Sequence, residues 1–133
     1  MTKKWVVAPK VLVKGPSGLY LFVQRSVKSK HFASQWEVPG GKPDAGEDIG
    51  ECLIRETKEE TGLDLTLTGV AGAGEGSIPN LNLAYMFMSG TVDSEKVILS
   101  DEHDDFKWMS LEDARKLDLF PACRPLIESL VST

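Results

Sequence analysis

The sequence predicts a single α/β domain, and three observations support this prediction. The chain has 133 residues, of which 41% are hydrophobic, which is enough for one hydrophobic core. Apolar and alternating segments predict β-strands on both sides of the middle of the chain. Between them, residues 48–61 are good helix formers, and Gly62 follows where a left-handed C-cap glycine belongs. This alternation is compatible with an α/β sandwich but does not by itself select one.

Two strands are expected before the helix. Residues 5–14 predict the first strand, and Pro9 should place it at a sheet edge or beside a bulge, because proline has no N–H for the ladder. A turn at residues 15–18 and the alternating residues 19–25 predict a hairpin with the first strand. Residues 26–35 are polar and are expected to form a loop.

Further strands and two helices are expected after the central helix. Residues 63–70, 81–88 and 106–109 predict strands, the second of them buried on both faces, and residues 91–99 predict a turn with a short strand. The glycine-rich residues 69–77 are expected to form a flexible connection. Ser110 is expected to cap a short helix through Lys116, and residues 120–130 predict the last helix.

Charge is distributed unevenly along the chain. Residues 1–36 contain seven basic residues and no acid, although the formal net charge of the whole chain is −5. This asymmetry predicts a basic surface that meets an anion and an acidic surface that holds cations. Scattered surface lysines are the alternative.

The predicted central helix carries carboxylates on its apolar side. At about 100° per residue, one stripe contains Ile49, Leu53, Glu56 and Glu60. Glu59 lies close to this stripe. Arg55 lies one helical turn before Glu59 and is able to pair with it. Like charges one turn apart repel each other, and a hard divalent cation such as Mg²⁺ would compensate them. A solvated acidic helix face is the alternative.

Residues 41–63 resemble the Nudix box, G-x5-E-x7-R-E-U-x-E-E-x-G-U. The residues that match are Gly41, Glu47 and the run Arg55-Glu56-Thr57-Lys58-Glu59-Glu60-Thr61-Gly62-Leu63. Thr57 stands where the family usually has a bulky aliphatic residue, and it should contact the core. The preceding residues 35–42, QWEVPGGK, resemble the W-E-x-P-G-G-K segment of MutT-like members that act on nucleoside triphosphates. Trp36 in this segment is expected in the core rather than as a stacking platform.

The resemblance implies a Nudix-type α/β/α sandwich with a mixed sheet between helices, as a single domain over residues 1–133. It also implies Mg²⁺ as cofactor, with Mn²⁺ as a substitute. The implied metal ligands are Glu56, Glu59, Glu60 and the carbonyl of Gly40. Either Glu56 or Glu59 would act as general base. Arg55 is a further catalytic candidate. Glu47 is expected to pair with Arg55, and metal binding is the alternative role of Glu47.

Further candidates follow from the same resemblance. Arg25 and Lys42 are expected to bind substrate phosphates, although Arg25 at a strand end also fits a solubilising role. Glu102 is a candidate for catalysis or a further metal, with Asp104 and Asp105 as alternatives. Cys123 stands where 8-oxo-dGTP diphosphatases have an asparagine that reads the oxidised guanine, which makes it a substrate-binding candidate. A thiol does not supply a paired donor and acceptor, so the recognised base stays open.

The implied activity is hydrolysis of a phosphoanhydride in a nucleoside diphosphate linked to another group. From a (d)NTP or an oxidised dNTP the products would be the monophosphate and pyrophosphate. One alternative is an ADP-ribose or nucleotide-sugar pyrophosphatase, for which Pro79 is a weak indication. The other is a catalytically silent module that binds a nucleotide or RNA. The intact glutamates of the box disfavour silence, and the negative net charge disfavours RNA.

The remaining expectations concern the cellular context. No apolar run approaches the roughly 20 residues of a membrane span, and the first residues do not resemble a signal peptide. Cys52 and Cys123 lack metal-binding spacing and are expected to be reduced thiols. We therefore expect a cytoplasmic monomer or homodimer whose partner is a small nucleotide, without nucleic acid or membrane.

Overall fold

The structure is a computed structural model, and it describes residues 2–132. Its strands are β1 (Lys4–Lys14), β2 (Tyr20–Arg25), β3 (Trp36–Glu37), β4 (Thr66–Ile78), β5 (Leu81–Thr91) and β6 (His103–Met109). Its helices are α1 (Ile49–Thr61), α2 (Leu111–Ala114) and α3 (Cys123–Val131). Among residues 2–132, no helix is long and apolar enough to cross a membrane.

The strands form one mixed sheet that lies between two helical layers. Strands β1 and β5 pair in parallel. The pairs β4–β5, β2–β3 and β2–β6 are antiparallel. Helix α1 covers one face through a core cluster that includes Leu53, Val11 and Val13. The other face carries a cluster that includes Phe87 and Ile127 of α3. The predicted α/β/α sandwich is thereby confirmed.

The neighbouring strands β1 and β2 diverge, and this opens the sheet. They pair at Lys14 and Tyr20, next to the predicted turn. Farther along, β3 pairs with β2. The residues that follow β3 then cross to β1, where the N–H of Val11 donates to the Pro39 carbonyl at 2.9 Å. Residues 36–41, called the inserted segment below, therefore fill the gap between the two strands.

Pro9 differs from its expected position. Strand β1 runs without a bulge through Pro9 and pairs with β5 along its whole length. The Pro9 carbonyl accepts from the N–H of Gly41 at 3.1 Å, so Pro9 turns its backbone polar groups toward the inserted segment and away from β5. The missing N–H consequently removes no bond from the β1–β5 ladder, and this is why a proline is tolerated inside the sheet.

Helix α1 forms where the sequence predicts it, because both of its ends are capped locally. The side chain of Asp48 accepts from the N–H of Glu51, and Glu51 reaches back to the Asp48 backbone in a capping box. Gly62 ends the helix in the left-handed conformation, with φ of 76°. Thr57 is fully buried, as expected.

The prediction for residues 69–77 is wrong, because these residues belong to strand β4. The strand runs from Thr66 to Ile78 and pairs with β5 throughout. Its glycines make room for α3 and for β5: a Cβ on Gly72 would lie 2.7 Å from Leu126, and one on Gly74 would lie 3.1 Å from the Ala122 carbonyl. Glycine there reflects close packing of a helix on a strand rather than flexibility.

Three smaller predictions also need correction. Strand β5 is not buried on both faces, because Met86 is exposed while its neighbours Tyr85 and Phe87 are buried. Residues 92–100, all of which the structure describes, form no strand. Helix α3 begins at Cys123 rather than at residue 120, and Ala122 occupies its N-cap.

Candidate active site

A cleft of about 510 Å³ opens where α1, the inserted segment, the end of β2 and the loop before β6 meet. Basic and acidic groups line it together. The basic side chains are those of Lys10, Arg25, Lys28 and Lys42, and the acidic ones are those of Glu56, Glu60, Asp101 and Glu102. The oppositely charged parts of the sequence thus face each other across one cleft, which suits a ligand that carries phosphates and a cation.

Gly40 and Gly41 bring the backbone against the acidic side of α1. Gly40 has φ of 153°, and a Cβ there would lie 2.3 Å from the Pro9 carbonyl oxygen and 2.7 Å from the Cα of Lys10. A Cβ on Gly41 would lie 2.7 Å from the Glu56 carboxyl carbon. Glycine is required at both positions because any side chain would collide with backbone or with the carboxylate.

The three glutamates expected to bind the metal differ in their environment. Glu60 is buried, and its Oε1 accepts from the N–H of Gly40 at 3.3 Å. The side chain of Glu56 is 14% exposed and that of Glu59 is 57% exposed. Burial raises the pKa of Glu60 well above its usual range; Lys10 opposes this, and the nearby carboxyl groups of Glu37 and Glu56 reinforce it. The strain among these acids is what a bound cation would relieve.

Arg55 holds these acids in place from the solvent side. Its Nε and Nη2 donate to the two oxygens of Glu47 at 2.8 and 2.9 Å, in the pairing that the sequence predicts. Its Nη1 contacts Glu56 at 3.0 Å and Glu59 at 3.1 Å. The two hydrogen bonds from Arg55 lower the pKa of Glu47 to about 2. Arg55 therefore positions three carboxylates at once.

Groups that could bind a metal converge from the end of α1, the loop before β6 and the start of β6. One ligand atom each from Glu60, Glu102 and His103 lies within 4.8 Å of the others. Of the acids in residues 102–105, Glu102 is the one that this cluster contains. The side chains of the two alternatives bond elsewhere, because Asp104 accepts from the N–H of Val27 and Asp105 from the N–H of Phe106. Carboxylates that crowd a partly buried site fit a hard divalent cation, and the residues present are compatible with one.

A buried charged network, which was not predicted from the sequence, lies beneath the cleft. Glu37 accepts from Lys10 at 2.9 Å, from Arg25 at 3.1 Å and from Nε2 of His103 at 2.8 Å. Burial alone would raise the pKa of Glu37, but Lys10, His103 and Arg25 outweigh it and lower the pKa to about 2. Lys10, in the middle of an apolar predicted strand, is the signal in the sequence that could have revealed this network, because a buried ammonium group requires a buried partner.

Arg25 and Lys42, the two predicted phosphate-binding residues, both line the cleft. Arg25 is already engaged, since its Nε donates to the carbonyl of His31 at 3.0 Å and its Nη1 contacts Glu37. Lys42 is exposed and stands at the mouth of the cleft. Trp36 is buried in the core, as predicted, and Lys107 covers its ring at 5.1 Å.

A second cavity of about 230 Å³ continues from the cleft. The residues common to both are Lys10, Arg25, Gly41 and Lys42. Its walls are apolar and aromatic, and include Phe32, Ile78, Leu83, Tyr85 and Phe120. The rings of Tyr85 and Phe120 meet edge to face at 5.4 Å. A cavity with flat apolar walls and a few polar groups is suited to an aromatic ring system.

Cys123 does not occupy the position expected of a base-reading residue. Its side chain is fully buried in the core cluster between the sheet and α3, and burial raises the pKa of its thiol to about 12. Because α3 begins at Cys123, the preceding turn carries Phe120 to the cavity instead.

An α/β/α sandwich whose glutamate-rich helix faces a cleft lined by basic side chains has the features that an enzyme needs to hydrolyse phosphoanhydrides. Comparison with known proteins makes this class specific. The family model described as the NUDIX domain matches residues 4–130. The chain therefore belongs to the Nudix family and is a Nudix pyrophosphohydrolase.

Individual relatives agree with this assignment. The chain is 29% identical to the nucleoside triphosphatase NudI of Klebsiella pneumoniae over 135 residues, covering 93% of this chain and 94% of that protein. It is 28% identical to the CTP pyrophosphohydrolase of Escherichia coli over 115 residues, or 86% and 84% of the two chains. The structure of a MutT protein from Methanosarcina mazei superposes with a TM-score of 0.90 at 28% identity, covering 99% and 96% of the two chains.

Proposed function

We propose that this chain, acting as one Nudix domain, hydrolyses a (d)NTP or an oxidised dNTP to the monophosphate and pyrophosphate with Mg²⁺. The observation that carries this proposal is the continuity of the charged cleft with the apolar cavity, which share Lys10, Arg25, Gly41 and Lys42. A nucleotide has the same two-part chemistry, because a flat base is joined to a chain of phosphates. The names of the relatives, a nucleoside triphosphatase and a CTP pyrophosphohydrolase, support a triphosphate substrate.

In the proposed complex the phosphates occupy the cleft. Arg25, Lys28 and Lys42 would neutralise the phosphate oxygens, and the rigid fork of an arginine suits a phosphate group. The base would lie between the aromatic and aliphatic side chains of the second cavity, in contact with Tyr85 and Phe120. This arrangement presents the phosphoanhydride to the acidic side of α1.

Mg²⁺, or Mn²⁺ in its place, would be held by Glu56, Glu59, Glu60 and the Gly40 carbonyl, with Glu102 as a further ligand. When bound, the cation supplies positive charge that neutralises the phosphates and favours deprotonation of the attacking water. Glu56 or Glu59 would accept the proton of that water. Arg55 would hold Glu56 at the wall of the cleft and Glu59 beside it through its hydrogen bonds to both. A pyrophosphate leaving group would then depart in line with the attack.

The cellular context belongs to the same proposal. We expect a small nucleotide as the partner and a cytoplasmic location, and both cysteines are free thiols that are buried. Analytical ultracentrifugation would distinguish a monomer from a homodimer.

The first test is product analysis with the purified chain and a panel of nucleotides in the presence of Mg²⁺. Pyrophosphate release from a triphosphate is expected, and chelation with EDTA should abolish it. Glu56→Gln and Glu59→Gln should each lower kcat by about 100-fold or more, because each removes a negative charge from the reacting centre. The expected fold of each variant is unchanged, as measured by its melting temperature.

Glu75→Gln is the matched control, because Glu75 is an exposed acid on β4 outside the cleft. Its kcat should equal that of the wild type. Full activity in both Glu56→Gln and Glu59→Gln would contradict the assignment of these residues. Turnover of ADP-ribose or a nucleotide sugar without turnover of any triphosphate would contradict the proposed substrate class.

A further inference from the structure

Lys10 is an unusual residue for the centre of a sheet. Its side chain is 9% exposed, and it lies on the strand β1 between buried neighbours Pro9 and Val11. A buried ammonium group is costly unless it is paired. Glu37 supplies that pairing at 2.9 Å, and the ring of Phe120 lies 5.7 Å from the Lys10 nitrogen.

The ammonium group of Lys10 has hydrogen-bonding capacity left over. An ammonium carries three N–H donors, and Glu37 takes one of them. Among residues 2–132, Glu37 is the hydrogen-bond partner that the structure gives to this nitrogen. Burial would lower the pKa of Lys10, but Glu37 and Glu60 raise it above the ordinary value, so the group stays charged.

Lys10 stands at the junction of the cleft and the apolar cavity, and it lines both. Phosphate neutralisation does not require it, because Lys28 and Lys42 line the cleft and are exposed. Its own charge is already matched by Glu37, and its nearest aromatic neighbour, Phe120, is a wall of the cavity. The N–H groups that Glu37 does not occupy are therefore available to a polar edge of a base in the cavity between Phe120 and Tyr85.

We propose that Lys10 determines base specificity by donating a hydrogen bond to the carbonyl oxygen at the 6 position of a purine or the 4 position of a pyrimidine. This inference rests on the proposed function and deepens it. It assigns the substrate class as 6-oxopurine and 4-oxopyrimidine nucleotides, which include guanine, hypoxanthine, uracil and thymine. It disfavours the 6-aminopurine and 4-aminopyrimidine nucleotides, which carry adenine and cytosine.

The discrimination follows from the chemistry of the two groups. A charged ammonium only donates hydrogen bonds, and an exocyclic amino group facing it also donates. Glu37 also lines the cavity, but its oxygens already accept from Lys10, Arg25 and His103. An amino group that faces Lys10 would therefore oppose two donors, whereas an oxo group would pair with Lys10 directly. Glu37 fixes the position of the ammonium through their hydrogen bond, so Lys10 is not free to turn away.

The test is metal-free binding of nucleoside monophosphates, measured by calorimetry, so that no turnover is involved. IMP and AMP differ at the 6 position, and UMP and CMP differ at the 4 position. The wild type should bind IMP more tightly than AMP, and UMP more tightly than CMP, by about tenfold or more, as expected for a hydrogen bond from a charged donor. Lys10→Met should reduce both ratios to within about twofold of unity.

Lys28→Met is the matched control, because Lys28 lines the cleft but not the apolar cavity. It should weaken IMP and AMP equally and leave their ratio unchanged. Purine riboside monophosphate, which lacks a substituent at the 6 position, tests the wild type without any variant and should bind as weakly as AMP. This arm remains decisive if Lys10→Met does not fold.

Several results would overturn the inference. They are equal binding of IMP and purine riboside monophosphate, tighter binding of CMP than of UMP, and an IMP-to-AMP ratio that survives Lys10→Met. An equal loss of IMP and AMP in Lys10→Met with the ratio intact would place Lys10 on the phosphate instead. Failure of the proposed hydrolysis, by contrast, would appear as absent turnover with these binding ratios preserved.

Discussion

Two threonines one turn apart in α1 have the same burial but different hydrogen bonding. Both side chains are fully buried. The hydroxyl of Thr61 donates to the Thr57 carbonyl at 2.6 Å and accepts from the N–H of Leu63 at 3.3 Å. The hydroxyl of Thr57 has no partner among the residues that the structure describes. A buried hydroxyl without a partner costs stability, and the two positions therefore respond differently to the same substitution.

Thr57→Val should raise the free energy of unfolding by about 1 kcal/mol, because it replaces an unpaired buried hydroxyl by a methyl group of similar shape. Urea unfolding followed by circular dichroism measures the change. Thr61→Val is the matched control, and it should lower the free energy of unfolding by about 1 kcal/mol because it removes two hydrogen bonds. A destabilised Thr57→Val would mean that the hydroxyl is satisfied in solution.

Single residues of the site were predictable to the extent that their partners are close in sequence. The pairing of Arg55 with Glu59 follows from their spacing on one helix, and its pairing with Glu47 is implied by the resemblance to the Nudix box. The structure contains both contacts. The partners of Glu37 were not predictable, because Lys10 and His103 reach it from distant strands. Cys123 was misplaced for a related reason, since its exposure depends on where α3 begins.

At the scale of elements, the contact between β4 and α3 depends on how closely a helix approaches a strand. The Ala122 carbonyl, at the start of α3, lies 3.1 Å from where a Cβ of Gly74 would be. On the same strand, a Cβ of Gly69 would lie 3.6 Å from the Ser89 hydroxyl, which is an ordinary contact. Gly74 is therefore crowded by the backbone of α3, whereas Gly69 on the same strand has room for a side chain.

Gly74→Ala should lower the free energy of unfolding by about 1–3 kcal/mol, because the start of α3 must move away from the sheet. Gly69→Ala should be neutral or slightly stabilising, because alanine restricts the unfolded chain and fits the folded strand. Thermal unfolding of the two variants side by side gives the comparison. Equal melting temperatures would show that α3 yields without cost.

Elements with local signals were predicted and elements defined by packing were not. Helix α1 was predicted almost to the residue, because its capping box and its C-cap glycine lie within the segment itself. Residues 71–78 of strand β4 were missed, because glycine has low strand propensity, and what favours it there is the proximity of α3. The strand position of Pro9 was misjudged because the inserted segment that replaces a neighbouring strand is not visible in the sequence.

For the whole molecule, one carboxylate joins strands that are far apart in the chain. Glu37 on β3 contacts Lys10 on β1, Arg25 on β2 and His103 on β6. Its pKa in the folded protein is about 2, below the ordinary value of 4.5. A group whose pKa is lowered by folding stabilises the protein above its unfolded pKa, and this contribution is lost as the pH falls toward the folded pKa.

Glu37→Gln should therefore be destabilising at pH 7 by an amount on the order of 2–3 kcal/mol. The difference from the wild type should shrink as the pH falls from about 4.5 toward 2, because the wild-type carboxylate then becomes protonated. Urea midpoints at pH 7, 5, 4 and 3 measure this. Glu75→Gln, at an exposed site, should follow the wild type at every pH. A constant difference for Glu37→Gln would contradict the assigned pKa.

The parallel pairing of β1 with β5 also determines when the molecule can assemble during synthesis. Lys4 pairs with Leu81 and Lys14 with Thr91, so each residue of β1 waits for a partner 77 positions later. A ribosome that adds about 5–20 residues per second needs several seconds to cover that distance. During this interval the apolar N-terminal strand has no parallel partner, and α1 has half of its sheet missing. The Nudix box is therefore translated before the strand β5, to which the neighbouring strand β1 must pair.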